Sequence, residues 1–130
     1  MTSEFVHLHN HSDYSLLDGA QKIDQLVNTI DDLNMDAVAL TEHGNMFSVL
    51  PYYKQAKKAG IKPIIGCEIY VAVGSRFEKK TRSDGGWGNN HLILLAQNFT
   101  GYKNLMKLVT AGYLEGCLLY TSDAADDKCS

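Results

Sequence analysis

This sequence contains few cysteines and no long apolar run. Its 130 residues include three cysteines, an odd and scattered set that makes no disulfide framework and fits a reducing compartment. No stretch approaches the roughly 20 apolar residues of a membrane span, and the first residues lack the basic-then-apolar layout of a signal peptide. We therefore expect a cytoplasmic protein with no membrane partner.

An excess of charge of either sign is also missing. The formal net charge is -3 at pH 7, which gives no global electrostatic reason to bind nucleic acid, although residues 76–82 could form a local basic patch. The hydrophobic content of 45% and the charged content of 21% are ordinary for a soluble globular protein. The length allows one core. We expect one domain, or part of one.

Three histidines stand at every second position near the start of the chain, at His7, His9 and His11. Residues 5–9 read as a β-strand, in which alternate side chains project to one face. Imidazole is a common ligand for zinc, manganese and iron, so such a strand could present part of a coordination sphere. The alternative is the solvated face of an edge strand, and the pattern by itself leaves both open.

Short apolar runs alternate with amphipathic segments along the rest of the chain. The spacing predicts helices at residues 23–33, 48–59 and 102–113, and strands at 37–40, 64–65, 69–73 and 91–96. Gly60 stands where a helix C-cap glycine belongs, and Gly66 indicates a bend or bulge between two strands. Residues 76–90 read as a polar loop. The order predicts an α/β fold with a largely parallel sheet.

Metal-ligand side chains recur at the ends of the predicted strands. Besides the first histidines, these are Asp18, His43, Glu68 and His91, and strand ends are where β/α folds place active sites. Taken singly, each has a structural explanation, such as a turn residue for Asp18 or a solvated carboxylate for Glu68. Together, four histidines and two carboxylates are the ligand types of a two- or three-metal hydrolytic centre.

Several ordered motifs resemble one known family. They include Tyr-Ser-Leu-Leu-Asp-Gly at residues 14–19, Ala-Leu-Thr-Glu-His-Gly-Asn at 39–45 and Gly-Ile-Lys-Pro-Ile-Ile-Gly-Cys-Glu at 60–68, followed by 91–96, 100–105 and 111–116. With residues 5–9, they closely resemble the polymerase-and-histidinol-phosphatase (PHP) domain at the N-terminus of bacterial DNA polymerase III alpha subunits. Several motifs in order are far more specific than one His-x-His.

The resemblance implies a distorted seven-stranded β/α (TIM-like) barrel, of which residues 1–116 would be the N-terminal part, incomplete in this chain. A di- or trinuclear cluster of zinc, manganese or iron would form in the complete domain, with ligands here at His7, His9, Asp18, His43, Glu68 and His91. His11 matches a recurrent family histidine that would lie outside the ligand set, in a supporting or solvent-facing position. The family's remaining ligands would lie beyond residue 116. Glu42 departs from the family, which more often has aspartate there.

The same resemblance implies that the parent protein is a replicative DNA-directed DNA polymerase, a nucleotidyltransferase with Mg²⁺ at a site outside this chain. The PHP site would hydrolyse phosphodiesters as a metal-dependent 3′–5′ proofreading exonuclease, or it would be structural. The implied partners are DNA, a separate proofreading exonuclease subunit and a sliding clamp. The alternatives are a stand-alone PHP-type phosphoesterase such as a histidinol phosphatase, and a non-catalytic interaction module.

Residues 117–130 do not resemble the family continuation. Their first part, through Asp127, resembles a translated transposase adapter from DNA library preparation, so we expect a non-native, disordered tail. The alternative is a natural divergent C-terminus. For residues 1–116 we expect poor autonomous stability, since a truncated barrel leaves a strand edge and an apolar face exposed.

Overall fold

The computed structural model describes residues 4–16, 18–72 and 89–115, with the side chain of Asn89 left out. The elements in these ranges are α1 (Ile23–Asp32), β1 (Ala37–Leu40), α2 (Val49–Lys58), β2 (Lys62–Ala72), β3 (Asn89–Leu95) and α3 (Phe99–Glu115). They confirm the predicted α/β class. The predicted tail and most of the predicted loop at 76–90 lie outside the described residues. No helix in the described ranges is long and apolar enough to cross a membrane.

The core lies where α1 and α2 pack against the sheet. All four residues of β1 are buried, as expected for a parallel strand that is covered on both faces. From α2, Tyr52 and Ala56 are fully buried in the same cluster. The face that α1 contributes has helical spacing and consists of Ile23, Leu26, Val27 and Ile30. The predicted helices at 23–33 and 48–59 are therefore confirmed, with ends that differ by one residue.

Helix α2 ends at a glycine in the left-handed conformation, as the sequence predicts. Gly60 has φ of 78°. Its amide donates to the Lys57 carbonyl at 3.2 Å, and the Ile61 amide donates to the Ala56 carbonyl at 2.9 Å. These two bonds satisfy carbonyl groups that a helix end otherwise leaves free, and the chain turns directly into β2.

The sheet has the order β1-β2-β3 and is mixed. β1 and β2 are parallel, with Ala37 opposite Lys62, whereas β2 and β3 are antiparallel, with Gly66 opposite Leu95. The largely parallel sheet expected from the sequence is therefore wrong for the second of these pairs. An apolar run is compatible with either ladder, so its composition does not reveal the direction of its partner.

Gly66 lies where β2 changes partner, and it does not separate two strands as predicted. Lys62–Ala72 is one continuous strand. A Cβ atom at Gly66 would lie 2.7 Å from the Leu94 carbonyl oxygen and 2.8 Å from the Thr41 methyl group. The glycine is needed because the backbone is approached closely on both sides.

The first segment, residues 5–11, runs beside β1 without forming the strand predicted at residues 5–9. The Ala39 amide donates to the His7 carbonyl and the Thr41 amide to the Asn10 carbonyl, both at 2.9 Å. Because the acceptors are three residues apart and the donors only two, the first segment has an extra residue, as in a β-bulge. The Asn10 side chain donates to the Ala39 carbonyl at 3.0 Å in place of a backbone amide. An extra residue reverses the faces of a strand, so the histidine alternation is interrupted after His7.

Candidate metal centre

A buried glutamate on β2 lies at the centre of a histidine cluster. Only 2% of the Glu68 side chain is exposed. Its Oε2 lies 2.6 Å from His9 Nε2 and 3.2 Å from His11 Nε2. Its Oε1 lies 2.5 Å from His91 Nδ1 and 3.2 Å from His43 Nδ1. Four histidines from the first segment, the loop after β1 and strand β3 therefore converge on one carboxylate.

Backbone pairing beyond the end of β1 places His43 in this cluster. The Glu68 amide donates to the Glu42 carbonyl at 3.0 Å, and the Gly44 amide donates to the Glu68 carbonyl at 2.8 Å. His43 and Glu68 thus form an isolated parallel bridge. The site lies at the carboxyl end of β1, the position at which β/α folds assemble active sites.

Asp18 joins the cluster through His43. Its carboxylate contacts His43 Nε2, and the His11 ring stacks on the His43 ring with 3.8 Å between centroids. The Tyr70 hydroxyl lies 3.3 Å from His43 Nδ1. Among the described residues, two groups of three have potential ligand atoms within 4.8 Å of one another: His9, His11 and Glu68, and His11, Asp18 and His43. His11 belongs to both.

Burial and mutual charge change the acidity of these groups. Burial lowers the pKa of His11, and the positive charge of His43 lowers it further. Burial by itself would raise the pKa of Glu68, but the hydrogen bond from His9 and the charges of His43, His11 and His91 outweigh it and lower the pKa. These shifts favour the neutral imidazole of His11 and the ionised carboxylate of Glu68, which are the forms that bind divalent metals.

The structure brings together five of the six predicted ligand residues: His9, Asp18, His43, Glu68 and His91. Within the described ranges, no ion pair joins His7 to any of them. The His7 ring meets the Phe5 ring edge-on at 4.8 Å between centroids, and in the described part of the chain it is in neither group of three. The His11 side chain is only 19% exposed and contacts Glu68, which is compatible with a supporting position but not with a solvent-facing one.

Sequence reasoning missed two serines in a buried polar network beneath the cluster. The hydroxyl groups of Ser12 and Ser15 donate to the Glu42 carboxylate, and all three residues are at most 2% exposed. The signal that could have found them was Glu42 itself, a carboxylate between a buried strand and a histidine, since a buried charge requires hydrogen-bond donors.

The donor set fits divalent metals. Imidazole nitrogens combined with carboxylate oxygens are typical ligands of zinc, manganese and iron. In addition, His11 Nδ1 is a buried nitrogen with no hydrogen-bond partner among the described residues. An unpartnered buried nitrogen is costly unless a further group binds it, so this nitrogen is available for one more polar contact.

Residues 7–129 match the PHP domain family. The DNA polymerase III subunit alpha of Borreliella burgdorferi is 58% identical over 114 residues, which cover 88% of this chain and 10% of that protein. The DNA polymerase III subunit alpha of Treponema pallidum is 51% identical over 124 residues, or 95% of this chain and 10% of that protein. The chain thus spans about a tenth of the length of these relatives.

Two solved structures have a similar fold. An amidohydrolase from Chromobacterium violaceum aligns with a TM-score of 0.54 and 23% identity over 85% of this chain and 34% of that chain. A protein described as a metal-dependent phosphoesterase, from Bifidobacterium adolescentis, aligns with a TM-score of 0.54 and 15% identity over 82% and 34% of the two chains. The described elements are consistent with part of a PHP barrel.

Proposed function

We propose, from the premise that this chain belongs to the PHP domain family, that the protein containing it is a bacterial replicative DNA polymerase. That protein would extend primers with deoxynucleotides at a Mg²⁺-dependent site outside this chain. It would act on DNA in the cytoplasm, together with a proofreading exonuclease subunit and a sliding clamp. The homology to DNA polymerase III alpha subunits over nine-tenths of this chain supports this proposal.

For the histidine cluster we propose metal-dependent hydrolysis of a phosphodiester, as in removal of a 3′-terminal nucleotide. The observation that carries this proposal is the convergence of four imidazoles on the buried carboxylate of Glu68. Bound zinc, manganese or iron would supply positive charge that polarises the phosphate and activates water. The proposed ligands in this chain are His7, His9, Asp18, His43, Glu68 and His91, with others contributed from beyond residue 116.

The chain's own residues would orient the ligands and the substrate. The Glu68 carboxylate contacts His9 through Oε2 and His91 through Oε1, and these contacts would hold both rings in place. Asp18 is half exposed, so its carboxylate lies on the side that a substrate would approach. Burial and the carboxylates of Glu68 and Asp18 raise the pKa of Tyr70 to about 12. Its hydroxyl therefore stays protonated and can donate to a phosphate oxygen.

The full-length protein tests both proposals in separate assays. Primer extension with Mg²⁺ and a templated primer tests polymerase activity, and failure to extend would contradict it. Release of nucleotides from a 3′-ended oligonucleotide, with zinc, manganese or iron added after chelation, tests the PHP site. Complete absence of both bound metal and hydrolysis would contradict the hydrolytic proposal and would favour a structural role.

The alternative of a stand-alone phosphoesterase has less support. The relatives that match nearly the whole chain are DNA polymerase III alpha subunits of about ten times its length. The likeness to a metal-dependent phosphoesterase is at 15% identity and concerns the fold. A gene of about one domain in length would favour the alternative.

A further inference from the structure

One buried serine contacts the backbone next to two of the proposed metal ligands. Ser15 is 2% exposed. Its hydroxyl oxygen accepts a hydrogen bond from the His43 amide at 3.1 Å. Its carbonyl accepts from the amides of Asp18 at 3.2 Å and Gly19 at 2.8 Å. Since the side chains of Asp18 and His43 meet each other, one residue holds the backbone on both sides of this pair.

Glu42 sets the direction of the Ser15 hydroxyl. A serine hydroxyl has a single proton to donate, and that of Ser15 points to Glu42 Oε2. Its lone pairs are thereby left for the His43 amide. Glu42 is 1% exposed and is held in turn by Ser12, whose amide donates to Glu42 Oε2 at 3.1 Å. The buried carboxylate therefore keeps Ser15 in the orientation in which it accepts from His43.

Ser12 is a matched comparison within the same network. It is as buried as Ser15, and its hydroxyl donates to the other carboxylate oxygen of Glu42. Its hydroxyl oxygen accepts from the Tyr14 amide at 3.2 Å. Within the described ranges, the Ser12 side chain has no hydrogen bond to Asp18 or His43. The two serines thus hold Glu42 alike but differ in their contact with the ligand pair.

We propose that Ser15 is a positioning residue of the metal centre, which places His43 and Asp18 so that both reach the same ion. This inference rests on the proposed metal binding, and it adds a residue outside the ligand set. His9 and His91 come from the first segment and from β3. Loss of the Ser15 hydroxyl removes the bond to the His43 amide, whereas the main-chain carbonyl of Ser15 still accepts from the Asp18 amide. The loss should therefore shift His43 relative to Asp18 and spare the other side of the cluster.

The test uses the full-length protein and Co²⁺ alone as the probe, because its visible absorption reports ligand geometry. Ser15→Ala and Ser12→Ala are titrated with Co²⁺ in competition with a chelator, at a temperature where circular dichroism shows both to be folded. We expect Ser15→Ala to weaken Co²⁺ binding by about tenfold or more, the range found for residues that orient metal ligands. Ser12→Ala should change it by less than about threefold, and Ser15→Thr, which keeps a hydroxyl, should restore it.

Equal weakening in the two alanine variants, or no weakening in Ser15→Ala, overturns the inference and leaves metal binding intact. Failure of a well-folded Ser15→Thr variant to restore binding also overturns it. If the unsubstituted protein binds no Co²⁺, the proposed metal function fails, and amide hydrogen exchange in the metal-free protein decides the inference. Ser15→Ala should then speed exchange at the His43 amide about tenfold more than Ser12→Ala, since only Ser15 accepts from it, and equal rates would contradict the assignment.

Discussion

The Glu68 carboxylate receives contacts from four imidazoles while only 2% of its side chain is exposed. Such burial is tolerated for a charge only when positive or hydrogen-bonding partners surround it. The same arrangement makes Glu68 the side chain on which the geometry of the others depends. Its substitution is the most direct test of the cluster at the scale of one residue.

We expect Glu68→Gln to reduce bound metal to background. Glutamine keeps the size of the side chain but removes the charge that draws the histidines together, and leaves an amide group facing imidazole nitrogens. Metal content of the purified full-length protein, measured by inductively coupled plasma mass spectrometry, checks this. Glu4→Gln is the control, because Glu4 is exposed. An unchanged metal stoichiometry in Glu68→Gln would show that the carboxylate is not a ligand.

We expect the free energy of unfolding of the metal-free protein to fall as the pH falls below neutrality. The pKa of His11 is lowered from 6.5, so the folded state disfavours its protonation below about pH 6.5. The pKa of Glu68 is lowered from 4.5, so its stabilising effect is present above that pH and is lost on acidification through its folded-state pKa. Both effects lower the free energy of unfolding as the pH falls.

Urea unfolding in the presence of a chelator, at several pH values between about 7 and 4, measures this dependence. In the Glu68→Gln variant, the decrease in the free energy of unfolding at the acidic end of this range should disappear. The decrease due to His11 should remain. A free energy of unfolding that rises on acidification from neutral pH would contradict the prediction.

Two of the predicted ligands, His91 and His7, should differ in how much their loss weakens metal binding, because their contacts differ. His91 Nδ1 lies 2.5 Å from Glu68 Oε1, whereas the His7 ring lies against Phe5. Among the described residues, no ion pair joins His7 to Glu68. We therefore expect His91→Ala to weaken metal binding by roughly tenfold more than His7→Ala, within the range seen for ligand environments. Competition with a chelator measures both, and equal losses would place His7 in the cluster.

At the scale of the elements, local sequence features predicted the helices better than the sheet. Helix α1 follows its apolar spacing closely, and Gly60 ends α2 as expected. Helix α3 begins a few residues earlier than predicted because Asn98 accepts a hydrogen bond from the Gly101 amide at 3.0 Å and so caps its first turn. In contrast, the antiparallel pairing of β3 depends on residues of β2 that are far away in the sequence.

Gly66 is the position in the sheet where a side chain is least tolerated. Gly66→Ala places a methyl group 2.7 Å from the Leu94 carbonyl oxygen, so the strands must separate or bend. We expect a loss of roughly 1–3 kcal/mol in the free energy of unfolding, as for overpacked sites, measured by chemical denaturation. Gly101→Ala is the control, since its nearest contact would be 3.4 Å and it lies within α3. Equal effects of the two substitutions would contradict the crowding argument.

At the scale of the whole molecule, many large apolar side chains in the described ranges remain exposed. Leu16 is 81% exposed and Phe47 is 67% exposed. A cavity of about 360 Å³ between the loop after β1 and α3 is lined by Met46, Phe47, Met106, Val109, Thr110, Tyr113 and Leu114. The two similar solved structures are about three times as long as the region of each that aligns with this chain.

We therefore expect residues 1–116 to be poorly stable by themselves. Exposed apolar surface of this extent favours association or partial unfolding. Thermal unfolding followed by circular dichroism, with sedimentation to establish the oligomeric state, compares residues 1–116 with the full-length protein. A cooperative transition of a monomeric 1–116 fragment would contradict the prediction.

The proposed boundary at residue 116 has its own test. The resemblance of residues 117–127 to adapter sequence predicts that the gene continues differently after codon 116. Resequencing of the locus through that codon decides the question. A continuous reading frame that contains residues 117–130 would support a natural C-terminus instead.

The sequence by itself determined the α/β class, two helices with nearly correct ends, the family and most of the residues in the cluster. These are properties of local spacing, side-chain chemistry and ordered motifs. Only the tertiary structure decided that Glu68 is the centre of the cluster, that His11 is in it while His7, in the described ranges, is in neither group of three, and that Ser15 and Glu42 support it. The physical reason is that these facts depend on pairing. One extra residue between His7 and Asn10 changes which side chains share a face, and its position is set by hydrogen bonds to β1.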